Sequence, residues 1–153
     1  MQATYEDANL ILRLYEIRRE ETLRKAREWF FVNYKISNAQ EAMTKYAMGS
    51  QENTYARMVI SYWDMACSFV TAGVLNPDLF FQSNGECLIV WEKVRGFVGD
   101  LRAMTKNPQM WGNLEKVGND YIKFIESRGP EAYTAFQGML KMIDETLSKT
   151  AKP

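Results

Sequence analysis

The sequence predicts an all-α fold, a single-domain bundle of about five main helices plus short connecting ones. Three observations point there. Apolar residues recur at three- and four-residue spacing through every long segment. No stretch alternates polar and apolar with period two for long enough to make a strand. Capping residues, Asn-Pro pairs and glycines punctuate the chain where one periodic segment gives way to the next. Its 153 residues suit one domain, residues 1–153, and can bury a sizeable core without staples.

The first segment is expected to be one long helix from about Tyr5 to Asn33. Thr4 and Asp7 have capping-box spacing at its start. Ala8, Ile11 or Leu12, and Tyr15 carry the apolar face early, then Leu23, Ala26 and Phe30, with Leu10, Leu14 and Ile17 widening it. The middle is charged, and Glu20–Arg24 and Glu21–Lys25 have the favoured spacing for ion pairs. Trp29 to Val32 crowd too many apolar groups for one helix face, which suggests a groove or a dimer contact.

Asn38 opens a short helix to about Met48, ended by Gly49. Ser50 caps the next, from about Gln51 to Ala72, stopped at Gly73. Asn76-Pro77 starts a helix of one or two turns over DLFFQ. The S-N-G-E of Ser83 to Glu86 reads as a second capping box, opening a helix from about Gly85 to Thr105 with Trp91, Val94, Val98 and Leu101 inward. Asn107-Pro108 repeats the cap-plus-Pro device. It opens a helix to about Ser127 that buries Trp111, Leu114, Val117, Tyr121 and Ile125. Gly96, Gly99, Gly112 and Gly118 fall within helical patterns, where they permit close approach of helices. After Gly129-Pro130 the last helix places Tyr133, Phe136, Leu140, Ile143 and Leu147 on one stripe. Ala132, Ala135, Met139 and Met142 lie beside it, and together they predict a wide buried face. The tail from Lys149 to Pro153 is expected to fray.

The run MVISYWDMACSFVTAGVL carries one charge, Asp64. It is short of the roughly 20 apolar residues a membrane span needs, and an acid at mid-span costs about 2.5–3.5 kcal/mol. Wound as a helix, Arg57, Ser61, Asp64, Ser68 and Thr71 form one narrow polar stripe on an otherwise apolar rod. Either the stripe faces water or the charged part of a neighbour, or it faces inward and Asp64 pairs with Arg57 or Arg95. The solvated arrangement is the expected one, because Asp is seldom fully buried without a partner. Arg57, Ser61, Asp64 and Ser68 are the candidate ligand residues.

Composition excludes more than it assigns. The 19 basic and 19 acidic residues cancel, so no field draws in nucleic acid, and the basic run of Arg18 to Arg27 is interleaved with Glu20 and Glu21. There is no histidine, which removes Ser-His-Asp and Cys-His nucleophile systems and His-containing metal sites. Asp64, Glu86 and Glu92 could together form a carboxylate site, but no metal motif, catalytic set or cofactor signature stands out. Two cysteines, Cys67 and Cys87, make no disulfide framework. Cys87, in a first helical turn, is read as a packed thiol rather than a reactive one. The opening residues lack a signal-peptide pattern, and with free thiols this predicts a cytoplasmic protein.

The stretches DANLILRLYEIRREETLRKAREWF, YARMVISYWDMACSFVTAGVL and DLFFQSNGECLIVWEKV resemble a family of small, uncharacterised all-helical bacterial proteins, a domain of unknown function. The resemblance implies a bacterial, cytoplasmic setting and brings no activity or site residue. The function expected is a non-catalytic helical interaction module, whose partner is a second copy or another protein. The alternative is a small-ligand-binding or sensor bundle that uses the Arg57/Asp64 stripe in an aromatic- and Met-rich core.

Overall fold

The computed structural model describes residues 2–150. Among them every regular element is helical: α1 (Tyr5–Arg18), α2 (Glu21–Asn33), α3 (Ala39–Thr44), α4 (Gln51–Thr71), α5 (Pro77–Ser83), α6 (Glu86–Val94), α7 (Val98–Thr105), α8 (Gly112–Arg128) and α9 (Ala132–Thr150). Five of these are long, α1, α2, α4, α8 and α9, and the other four are short. No helix among the described residues is long and apolar enough to cross a membrane.

The centre of the bundle is α4, which packs most extensively on α2 and α8. It buries Ala56, Val59, Ile60, Trp63, Ala66 and Cys67. Each large apolar side chain so buried contributes about 1.5–3 kcal/mol of transfer energy. Leu88, Val90, Trp91 and Val94 of α6 and Leu114 and Val117 of α8 complete the core. The Tyr62 hydroxyl donates to the Leu14 carbonyl at 2.7 Å and fastens α1 to this rod.

The expected first helix is two. Residues 19 and 20 break it, and Glu20 becomes the N-cap of α2, accepting from the amides of Thr22 at 3.0 Å and Leu23 at 2.9 Å. The cause lies in helical phase. On one straight helix Leu14 and Leu23 would stand about 180° apart, at roughly 100° per residue. Both are buried in the same core, so the chain must turn between them. Glu20 therefore serves the backbone rather than Arg24, whereas the Glu21–Lys25 pair forms at 2.7 Å.

The expected helix over 85–105 also divides, at a turn through residues 95–97. Gly96 weakens the helix there. The turn brings Phe97 edge-on to Trp111, with ring centroids 6.4 Å apart. The S-N-G-E box does not form: Gly85 occupies the cap position without a side-chain hydrogen bond. Ser83 ends α5, and Glu86 points elsewhere, as described below. Asn76-Pro77 caps α5 as expected. Asn107-Pro108 does not cap α8, because residues 108–111 form turns and the helix begins at Gly112. Lys106 and Trp111 bracket this loop in the left-handed region, at φ 56° and 54°. The Arg102 guanidinium holds it by donating to the Met110 carbonyl at 2.9 Å.

Two caps tie distant segments together. The Thr4–Asp7 capping box forms, and the other Asp7 oxygen accepts from the Asn76 amide at 2.7 Å. Asp7 is thereby 5% exposed. Gly118 bears out the expected close helix approach, since a Cβ there would lie 2.5 Å from Trp91 Cδ1, whereas Gly96 and Gly99 face open space.

The wide buried face expected of α9 is absent. None of its residues is buried, and Met139, Met142 and Ile143 are 47%, 65% and 45% exposed. Its close helix contact is with α8. The helix runs to Thr150; the rest of the expected frayed tail lies outside the described residues.

Candidate functional site

Two residues of the polar stripe of α4, Asp64 and Thr71, meet α8. Arg57 and Ser61 are exposed, and Ser68 is half-buried with its hydroxyl on the Met65 carbonyl at 2.6 Å. Asp64, half-buried, accepts from the Leu114 amide at 2.9 Å, and Thr71 donates to Asn113 Oδ1 at 2.7 Å. The α8 N-terminus, which has no side-chain cap of its own, is capped from α4. Asp64 thus has a partner, but it is a backbone amide at a helix N-terminus, not Arg57 or Arg95.

Glu92, which binds Arg95 at 2.9 Å, and Glu86 also have separate partners. Glu86 takes the Arg27 guanidinium in a two-pronged pair at 2.7 and 2.6 Å, and accepts from Trp63 Nε1 at 3.2 Å. Among the described residues no group of three His, Cys, Asp or Glu is placed to hold a metal ion. Cys67 and Cys87 are both fully buried, and burial pushes the Cys67 thiol well up, with Cys87 beside it adding to the shift.

A concavity lies between α9 and the body. It is a cleft of about 950 Å³. One wall comes from the end of α2 and the segment after it, Phe31, Tyr34, Lys35 and Ile36, together with Ile89, Glu92 and Lys93 of α6. The other wall is α9, through Gln137, Leu140, Lys141, Ile143 and Asp144. The crowding at Trp29 to Val32 explains the first wall: Phe30 faces the core and Phe31 faces the cleft.

Polar groups span the cleft at both ends. At one, the Tyr133 hydroxyl donates to Glu92 Oε1, and Gln137 donates to that hydroxyl at 3.0 Å. Burial, and then the Glu92 carboxylate, push the Tyr133 phenol up to about 12. At the other, Lys35 donates to Ser148 Oγ at 2.9 Å and Lys93 to the Tyr34 carbonyl at 3.2 Å. Among the described residues neither ammonium forms an ion pair. Burial holds the Lys93 ammonium below the usual lysine range; Asp144 opposes that shift and Lys35 adds to it. None of Arg57, Ser61, Asp64 or Ser68 lines the cleft.

Residues 3–121 match the family described as Domain of unknown function (DUF4760). The chain belongs to this family. No curated protein and no solved structure matches it. The DUF4760 match ends inside α8, so the cleft joins one wall from within the matched residues to a second wall, α9, that lies beyond them.

Proposed function

We propose that this DUF4760 protein is a non-catalytic helical interaction module whose contact helix is α9, pairing with the same helix of a second copy. The observation that carries this reading is the unburied outer face of α9, with Met139 and Met142 open to solvent along a 19-residue helix. Flexible, exposed methionines on one helix face are a common feature of contact surfaces.

A two-fold antiparallel pairing suits the pattern. Ala135, Met139, Met142 and Thr146 recur at helical spacing. Centred between Leu140 and Lys141, such a pair sets Met139 of each copy against Met142 of the other and Ala135 against Thr146. It also brings Glu131 of each copy near Lys149 of the other, on the same flank, as opposite charges. Gly138 faces open space beside the seam and leaves room for close contact.

Asp64 and Thr71 of the α4 stripe serve in this proposal to position α8, and hence α9. The balanced charge supports a protein partner rather than nucleic acid. The two buried free thiols support a cytoplasmic setting, and the resemblance a bacterial one. Light scattering with native mass spectrometry is the test. A dimer at micromolar concentration, converted to a monomer of unchanged helicity by Met139→Glu with Met142→Glu, is the expected result. A wild-type protein that stays monomeric through that range would overturn the reading.

A further inference from the structure

The cleft beneath α9 presents different chemistry from the outer face of that helix. Its volume of about 950 Å³ lies in the range of small-molecule sites, roughly 300–1,000 Å³. Phe31, Ile36, Ile89 and Leu140 supply apolar wall from three directions. Such a surface suits a flexible apolar chain.

The polar groups are grouped. Lys93 donates to the carbonyl of Tyr34, the residue next to Lys35, and Lys35 donates to the Ser148 hydroxyl, so both ammoniums sit at one end of the cleft and neither bonds to a carboxylate. Four lysines line the cleft, Lys35, Lys93, Lys141 and Lys149, against three acids, Glu92, Asp144 and Glu145. Glu92 is engaged by Arg95 and Tyr133 at the far end. At the Lys35–Lys93 end the carboxylate acting on Lys93 is Asp144, so two ammoniums face one carboxylate and there is room there for one further negative charge. Two donors and a single charge deficit beside an apolar wall fit a monoanion. A dianion would overfill the deficit, and a neutral chain would leave it unmet.

We propose that the cleft binds a long-chain carboxylate, its alkyl chain along Phe31, Ile36, Ile89 and Leu140 and its head group between Lys35 and Lys93. Binding closes α9 onto the body from within. It does not depend on pairing through the outer face of α9.

Titration calorimetry with sodium dodecanoate at neutral pH, below its micelle concentration, tests this. One-to-one binding is expected, weaker by about tenfold for dodecanol, which lacks the charge, and for dodecyl phosphate, which carries more. Lys93→Met should lose affinity by about tenfold. Lys35→Met, at an exposed position that leaves the fold intact, should lose affinity in the same sense. The Met139→Glu, Met142→Glu protein should bind as the wild type does, which separates this site from self-association. No saturable binding of dodecanoate would overturn the assignment. So would equal or tighter binding of dodecanol or dodecyl phosphate, or an affinity unchanged in Lys35→Met.

Discussion

Glu86 occupies a position that its sequence context disguises. Serine three residues before it suggests a local cap, yet its partner, Arg27, lies 59 residues away. Only the fold brings them together, so nothing near Glu86 in the sequence announces the pair. Arg27 and Glu86 side chains are 22% and 15% exposed, and Trp63 shares the carboxylate. Glu86→Ala leaves a guanidinium and an indole N–H without their acceptor, and should cost about 2 kcal/mol in urea denaturation. Gly118→Ala drives a methyl group into Trp91 and should cost about 1–3 kcal/mol by the same measurement. The spacing of Gly118 within an apolar helix made its role legible, whereas Gly96 and Gly99 share that context without sharing the contact. Asp7 gives a pH signature. The Asn76 amide, then the Thr4 amide and hydroxyl, hold its carboxyl below the ordinary value of 3.8. A depressed folded value stabilises above the unfolded one and fades as pH falls through the folded one. Asp7→Asn should therefore lower the melting temperature at neutral pH, with the gap to wild type closing below about pH 4.

At the scale of elements, most helices were legible because periodicity and caps agreed. The exceptions have physical causes. The division at Glu20 was written in the half-turn phase difference between Leu14 and Leu23, a signal hidden by reading the apolar residues as one broad face. The late start of α8 was not legible, because two left-handed residues, Lys106 and Trp111, and a guanidinium from α7 set it. Asp64 stood out as the only charge in its run, and it proves to cap another helix. Removing that cap by Asp64→Ala should cost about 1 kcal/mol. Hydrogen exchange should localise the effect, with the Leu114 amide exchanging faster while the middle of α4 is unchanged. Retained protection at Leu114 would show that another group holds that amide.

For the molecule as a whole, the all-α architecture and its buried aromatic centre followed from the pattern. Which face of the last helix is covered did not. An amphipathic pattern states that a helix has an apolar side; it does not state that a neighbour is there to meet it. Phe136 packs on the body, while Met139 and Met142, about 60° and 120° round the helix from it, stand in solvent. Stability should be graded accordingly, with α9 amides exchanging well before those of α4, because few buried contacts oppose local opening. The candidate binding surfaces were invisible in sequence for the same reason: each is a relation between α9 and something else.

The borrowed cap of α8 bears on the order of assembly. A helix whose first turn lacks its own cap and opens after a left-handed tryptophan is a poor nucleus, since the first turn is the costly one to form. Asp64 becomes available only once α4 is wound. Winding of α4 should thus precede that of α8, and α9, joined to α8 through Gly129-Pro130, should be the last helix to settle.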